Sequence, residues 1–169
     1  LTCITSWKLS EGKYMAKIAV IGGGRMGSGI AHAYLLAGHE VFLVEANTDA
    51  SVAARDRIKK LIQSSIDRGA EVSLPEVSNR LKFLTKIEDL PSCRIAIEAV
   101  PEIPALKNEI LGKLDSVLSK DSIIASNTSS ISINELANSL KFPERFVGMH
   151  FFNPVPASQL VEIVFGKKT

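Results

Sequence analysis

Short apolar runs alternate along the chain with longer segments in which apolar residues recur at helical spacing. The runs predict strands at residues 16–21, 40–44, 81–85, 94–100, 122–126, 146–150 and 159–165, the last of them at an edge of the sheet. The other segments predict helices at 28–37, 48–68, 104–118 and 133–140, with a loop or short helical turns at 70–79. This alternation predicts an α/β fold with a doubly wound, mostly parallel sheet and helices on both faces.

The first two helices carry more detailed predictions. In the second helix, apolar residues face charged ones, which predicts one buried stripe made of Val52, Ile58, Leu61, Ile62 and Ile66. After the first helix, Gly38 supplies the C-terminal stop, and His39 stands where a protonated imidazole would favour the helix dipole. His32, in the middle of the first helix, is expected to be a surface or packing residue.

The first strand ends in a glycine turn, Gly22-x-Gly24-x-x-Gly27, and a helix follows at once. This strand–turn–helix context favours a dinucleotide-binding, Rossmann-type motif over a turn without a ligand. Gly22 permits the tight turn, Gly24 lets a pyrophosphate approach the backbone, and Gly27 lets the helix pack close to the strand. Free N–H groups at the helix N-terminus attract the phosphates. The predicted cofactor-binding residues here are Gly22, Gly23, Gly24, Arg25, Met26 and Gly27.

The second strand ends at Glu45, close to the offset of about 20 residues that is typical of a ribose-binding acid. Its carboxylate would accept hydrogen bonds from both hydroxyls of the adenosine ribose and repel a 2′-phosphate. The next residues, Ala46 and Asn47, are neutral. The sequence therefore favours NAD over NADP as the cofactor, and Arg25 is the residue that could soften this preference.

Polar residues also follow the later strands, at the sheet edge where ligands bind in such folds. His150 is the candidate base for an alcohol oxidation, because imidazole titrates near neutral pH. His150 and Glu162 lie symmetrically about Pro156, so a chain reversal there would pair them across two antiparallel strands.

Glu162 interrupts an apolar run, where a bare buried carboxylate would be costly. A hydrogen bond to His150 would remove that cost, fix the tautomer and raise the basicity of the imidazole. The alternative is a core histidine that is unrelated to an edge-strand glutamate facing water.

Composition narrows the classes of function. A formal net charge of +2 with interleaved signs gives no basic stripe, so no nucleic-acid partner is expected. No apolar run approaches the ~18 residues that span a bilayer, so no membrane partner is expected either. Cys3 and Cys93 are far apart and the three histidines are scattered, so we expect no metal site. The cysteines fit a reducing compartment: the cytoplasm, or alternatively the mitochondrial matrix.

Residues 1–14 show no strong periodicity, and the first methionine, Met15, stands just before the first strand. We expect residues 1–14 to be an extension or tag, vector-derived or encoded upstream. Residues 15–169 are then expected to form one NAD-binding domain.

Longer motifs carry a resemblance to a known family. They are VIGGGRMGSGIA at 20–31, IEAVPE at 97–102 with Lys107 five residues on, SNTSS at 126–130, and RFVGMHFFNPVP at 145–156 followed by LVE at 160–162. With these motifs the chain resembles the N-terminal, NAD-binding domain of the L-3-hydroxyacyl-CoA dehydrogenases, over about residues 15–165. The glycine motif is shared by many oxidoreductases, whereas the last two motifs are specific.

The resemblance implies reversible oxidation of an L-3-hydroxyacyl-CoA to the 3-ketoacyl-CoA with NAD, a reaction of fatty acid metabolism and β-oxidation. It implies that His150 is the catalytic base and that Glu162 is its partner. Without the motif, Lys107 would be interpreted as a solvated helix residue. The other residues implied are Ser129 and Asn153 near the nicotinamide and the 3-oxygen of the substrate, Glu102 and Lys107 against the cofactor, and Arg68 near the CoA.

The chain departs from the family pattern in two ways. Glu45 replaces the usual aspartate, and the helical C-terminal domain of the family, which closes the substrate cleft and forms the dimer interface, is absent from the 169 residues. We therefore expect the cofactor-binding portion of a longer, homodimeric enzyme. The alternatives are a related dehydrogenase of a non-CoA hydroxy substrate and a catalytically silent NAD-binding protein.

Overall fold

The computed structural model describes residues 15–169, and these form one seven-stranded sheet in the order β3-β2-β1-β4-β5-β6-β7. Neighbouring strands pair in parallel up to β6, and β7 pairs antiparallel with β6. The predicted doubly wound sheet is confirmed. The predicted extension at 1–14, with Cys3, lies outside the described residues. The strands are β1 (Lys17–Ile21), β2 (Glu40–Val44), β3 (Leu81–Leu84), β4 (Ile95–Glu98), β5 (Ile123–Ser126), β6 (Phe146–Phe151) and β7 (Val161–Phe165).

Helices cover both faces of the sheet. Alternate residues of β1 point to opposite sides, with Ile18 and Val20 in one apolar core and Ala19 and Ile21 in the other. The first core packs against α1 and α2, and the second packs against α4 and α5. No described helix combines the length and the apolar character needed to cross a membrane. The helices are α1 (Arg25–Leu36), α2 (Thr48–Asp67), α3 (Leu74–Asn79), α4 (Pro104–Val117) and α5 (Ile133–Ala137).

Of the five residues in the predicted stripe of α2, Ile58 and Ile62 are buried, and Leu61 and Ile66 are partly buried. Val52 is 50% exposed, so its assignment to the buried stripe is wrong. The side chains that face α1 and the sheet are spaced by three or four residues, as one helix face requires. Two serines, Ser51 and Ser65, take part in that face, and their small side chains allow a close approach. The buried residues of the face are Ser51, Ala54, Ile58, Ile62 and Ser65.

The two histidines of this region are both structural. His32 is buried, and its Nε2 lies 2.9 Å from Ser65 Oγ, which confirms a packing role. Gly38 ends the first helical segment with a φ of +88°, as predicted. The expected protonated His39 is wrong, because its Nδ1 accepts a hydrogen bond from the Ala16 N–H at 3.3 Å. Burial also lowers the pKa of His39, which favours the neutral ring.

Candidate active site

A cavity of about 980 Å³ opens at the carboxyl ends of β1, β2 and β4. The glycine turn after β1, Glu45 after β2 and Asn153 after β6 all line it, so the fold brings together residues that are distant in the sequence. A parallel sheet produces this arrangement because its strands end at a common edge.

A side chain is excluded at Gly22 and Gly27 for different structural reasons, and Gly24 has room for one. Gly22 has a φ of +91°, and a Cβ there would lie 3.1 Å from the carbonyl oxygen of Ala99. A Cβ on Gly27 would lie 1.7 Å from the carbonyl oxygen of Gly22, so helix α1 packs against the turn itself more closely than against the strand. Around Gly24 there is open space within 4 Å. The turn therefore leaves room for a ligand at the position where a pyrophosphate was predicted.

The backbone of Gly23 is fixed from two sides. Its N–H donates to Glu45 Oε1 at 2.7 Å. Its carbonyl accepts from Ser28 Oγ at 2.7 Å and from Arg57 Nε and Nη2 at 3.2 and 3.0 Å. The sequence motif contains nothing that marks Arg57, which comes from the middle of α2 and reaches the turn only in the folded chain.

The cavity fits a dinucleotide. The first turn of α1 contains no acidic residue, and Gly24 caps it without a side chain, so the N-terminal N–H groups face the cavity without a competing anion. Among the charged side chains that line the cavity, cations outnumber carboxylates four to two: Arg25, Arg57, Lys86 and Lys113 against Glu45 and Glu88. A positive cavity with open backbone donors suits a pyrophosphate.

A buried ion network continues from β4 beneath the cavity. Glu98 is fully buried and accepts from Lys107 Nζ at 2.7 Å and from Ser126 Oγ at 2.6 Å. Lys107 is only 1% exposed, so its interpretation as a solvated helix residue is wrong. Its ammonium group also lies 3.2 Å from Glu102 Oε2. In this structure the ammonium contacts protein groups, and its contact with the cofactor stays a prediction.

Glu102 connects this network to the loop that follows β5. Its Oε1 accepts a hydrogen bond from Thr128 Oγ1, from the Ser129 N–H at 3.0 Å and from Ser130 Oγ at 3.1 Å. Desolvation raises the pKa of Glu102, but the hydrogen bonds from Thr128 and Lys107 and the charge of Lys107 outweigh it and lower the pKa to about 2. The carboxylate is therefore ionised and holds Ser129 in place.

His150 and Glu162 face each other in the antiparallel pairing of β6 and β7, which confirms the predicted chain reversal. His150 Nδ1 lies 3.3 Å from Glu162 Oε2. Glu162 is not buried, because its side chain is 45% exposed on an edge strand. Desolvation therefore does not force the pairing. Glu162 contacts the histidine, as in the first alternative, and faces water on the edge strand, as in the second.

A second cavity, of about 250 Å³, contains this pair together with Ser129 and other residues of the loop after β5. The Phe152 ring packs against the imidazole of His150, with ring centroids 4.4 Å apart. Asn127 Oδ1 accepts the Phe151 N–H at 2.9 Å and fixes the end of β6. Asn127 was not singled out from the sequence, although it belongs to the motif at 126–130.

Two further predicted features lie apart from these cavities. Arg68 follows α2 and donates to Ser64 Oγ at 2.9 Å, and it lines neither cavity. Its placement near a CoA stays a prediction. Cys93 is buried, and burial raises the pKa of its thiol to about 11, so it is unreactive, as expected for a bystander. Within residues 15–169 no three His, Cys, Asp or Glu side chains are grouped as a metal ion would require.

Comparison with known proteins assigns this arrangement to a family. Residues 17–169 match the model of the 3-hydroxyacyl-CoA dehydrogenase, NAD binding domain. The chain belongs to this family. The cofactor of this NAD-binding domain is therefore NAD, in agreement with Glu45 and the open glycine turn.

Relatives of the domain are dehydrogenases. A 3-hydroxybutyryl-CoA dehydrogenase of Mycobacterium tuberculosis is 42% identical over 151 residues, which is 88% of this chain and 53% of that protein. The crystal structure of (S)-3-hydroxybutyryl-CoA dehydrogenase from Ralstonia eutropha matches with a TM-score of 0.87 and 36% identity, over 92% of this chain and 56% of the other. The chain thus spans about half the length of the curated relatives it matches.

Proposed function

We propose that this NAD-binding domain serves a dehydrogenase that interconverts an L-3-hydroxyacyl-CoA and the 3-ketoacyl-CoA. In this proposal residues 15–169 are the cofactor-binding domain of a cytoplasmic, homodimeric enzyme, and an acyl-CoA is its substrate. The names of the relatives support the substrate class. The observation that carries the proposal is the register of β6 and β7, which sets His150 opposite Glu162 beside a loop rich in hydroxyl groups.

In the proposed reaction His150 is the base. A carboxylate only accepts hydrogen bonds, so Nδ1 carries the hydrogen toward Glu162 and Nε2 keeps a free lone pair. Nε2 takes the proton of the substrate hydroxyl, and Glu162 stabilises the imidazolium that forms. When bound, NAD would supply the acceptor for a hydride: C3 loses this hydride with its two electrons, the hydroxyl loses its proton to Nε2, and the alcohol becomes a carbonyl.

Ser129 and Asn153 are proposed to position the reacting groups. Ser129 lies in the smaller cavity with His150, whereas Asn153 lies in the larger one with the glycine turn. In this proposal they flank the space between the base and the bound cofactor. The backbone of Ser129 is fixed by the ionised Glu102, which gives its hydroxyl a defined starting point for a hydrogen bond to the 3-oxygen.

The proposal is tested by following NADH oxidation with acetoacetyl-CoA. The assay uses two proteins: this chain by itself, and a joined protein in which this chain is fused to the part of the Mycobacterium tuberculosis relative that it does not match. We expect His150→Gln to lower turnover by about 100- to 10,000-fold, the range of a general base. His39→Gln is the matched control, since His39 contacts the Ala16 backbone and lines neither cavity.

Three outcomes discriminate between the proposed function and its alternatives. Turnover that survives His150→Gln would reject the assigned base. Reduction of dicarbonyl compounds without a CoA group, in place of acetoacetyl-CoA, would favour a dehydrogenase of a non-CoA substrate. Tight NADH binding without turnover of any tested substrate by the joined protein would favour a silent NAD-binding protein.

A further inference from the structure

The guanidinium of Arg57 and the carboxylate of Glu45 hold the same glycine at the mouth of the cofactor cavity. Gly23 donates its N–H to Glu45 Oε1 at 2.7 Å. Its carbonyl accepts from Arg57 Nε at 3.2 Å and Nη2 at 3.0 Å. A cation and the acid that is expected to bind the adenosine ribose are thus hydrogen-bonded to the backbone of the same residue.

Arg57 has further hydrogen-bonding capacity. Two contacts of its planar fork reach Gly23, and its other N–H groups have no acceptor among the described residues. No carboxylate of residues 15–169 forms an ion pair with Arg57. The side chain is exposed and lines the cavity. A fixed guanidinium with spare donors is well suited to a phosphate.

Arg25 is a weaker candidate for this role, although it belongs to the glycine motif. Its side chain forms no hydrogen bond or ion pair within the described part of the chain. Arg57 is held by two hydrogen bonds, so less side-chain freedom is lost when it binds an anion.

We propose that Glu45 and Arg57 together determine the choice between NAD and NADP. Glu45 rejects the 2′-phosphate of NADP by like-charge repulsion, and Arg57 binds that phosphate once Glu45 is replaced by a neutral residue. Arg57 is therefore a specificity-determining residue of this domain. The inference rests on the NAD site of the proposed function and not on the acyl-CoA substrate.

The test measures binding of NADH and NADPH to the 169-residue chain by titration of nicotinamide fluorescence. Glu45→Ser removes the charge and opens space. We expect its Kd for NADPH to fall by about tenfold or more, while its Kd for NADH rises, because like-charge repulsion disappears and a ribose contact is lost. Adding Arg57→Met should reverse most of the gain for NADPH.

A double variant of Glu45→Ser with Arg55→Met is the matched control. Arg55 lies on the same helix and carries the same charge, but its guanidinium packs over the Phe83 ring at 4.8 Å and does not line the cavity. The gain for NADPH should survive in this control. If Arg57→Met and Arg55→Met reduce that gain equally, general electrostatic attraction explains it and the inference is overturned.

Glu45→Gln provides a second route if Glu45→Ser unfolds, because glutamine keeps an acceptor for the Gly23 N–H. Circular dichroism melting checks that each variant is folded. No gain for NADPH in either folded Glu45 variant overturns the inference. A switch in binding without acyl-CoA turnover by the joined protein would reject the proposed substrate and leave the inference supported.

Discussion

The glycine turn after β1 and the His150–Glu162 pair on the last two strands differ in how tightly the chain holds them. At the turn, one residue, Gly23, is fixed by a hydrogen bond that it donates to Glu45 and by hydrogen bonds that it accepts from Ser28 and Arg57. In the pair on the last two strands, a 3.3 Å contact joins an imidazole to a carboxylate that is 45% exposed. The first region packs against α1 and α2, whereas the second lies on the last two strands, where the edge strand β7 exposes Ile163, Val164 and Phe165.

The difference reflects what each region has to do. A pyrophosphate bound by backbone donors needs a turn that is already in its bound shape, since any ordering on binding would reduce affinity. The proposed catalytic pair would act on a group that changes its charge and geometry, and it lies at the open side of the sheet. We therefore expect substitutions at the turn to affect folding and cofactor binding together, and substitutions at the edge to affect turnover alone.

The largest effect is expected from Gly27→Ala compared with Gly24→Ala. The same methyl group meets the Gly22 carbonyl oxygen at 1.7 Å in the first variant and open space in the second. Gly27→Ala should destabilise the fold by about 4 kcal/mol or more and abolish NADH binding, because a backbone carbonyl must move. Gly24→Ala should melt like the wild type and weaken NADH binding only. Equal melting temperatures for both variants would contradict the rigidity of the turn.

Lys107→Met should follow, because Lys107 links the two regions. It neutralises the fully buried Glu98 beside the turn and contacts Glu102, which orders the loop near His150. Leaving Glu98 without its cation should cost about 3 kcal/mol of unfolding free energy in urea titrations. Lys113→Met, on the same helix, removes only an exposed pair with Glu109 and should leave the free energy of unfolding almost unchanged. A similar loss of unfolding free energy in both variants would show that the Glu98–Lys107–Glu102 network stabilises the fold only weakly.

Glu162→Gln tests the open edge by itself. We expect kcat to fall by about tenfold or more, because the imidazolium loses its partner, with little change in KM. The free energy of unfolding should stay within about 0.5 kcal/mol of the wild type, since the side chain is half exposed. Glu71→Gln, at an exposed site outside both cavities, should leave both quantities unchanged. Marked destabilisation by Glu162→Gln would make the glutamate a structural residue.

The sequence predicted the parts that depend on local pattern. Strands, helices and the glycine motif follow from hydrophobic period and from backbone chemistry, which act within a few residues. The His150–Glu162 pairing could be predicted because the two residues lie symmetrically about Pro156, where the chain reverses between β6 and β7. The exposure of Glu162 could not be predicted in this way, because it depends on whether another element covers the edge strand. Position within a sheet is a property of the whole chain.

Contacts between segments that are distant in the sequence could not be predicted, because no pattern in the neighbouring residues indicates them. Arg57 reaches Gly23 across 34 residues of sequence, and Glu102 reaches Ser129 across 27. The polarity of a segment also does not reveal which side a residue faces, as Val52 and Lys107 show: one is apolar and exposed, the other charged and buried. These positions are decided by helix rotation and by the partners that the fold supplies.

The smallest effect is expected for acid sensitivity at Glu102, the carboxylate that holds the loop after β5. Its pKa is about 2 when folded, below the ordinary value of 4.5, so its contribution to stability is present above pH 4.5 and is lost as the pH falls toward 2. In Glu102→Gln, urea midpoints should depend less steeply on pH in this window. The side chain is 37% exposed, so solvent screening keeps the effect small.

His32 also contributes to the pH dependence of stability, but mainly above this window. Burial lowers the pKa of His32 to about 4, so its protonation destabilises the fold between pH 6.5 and 4. If the urea midpoint of Glu102→Gln changes with pH below pH 4 as steeply as that of the wild type, the loop after β5 is held by packing and not by the charge of Glu102. The loop beside His150 would then depend less on charge than its hydrogen bonds to Glu102 indicate.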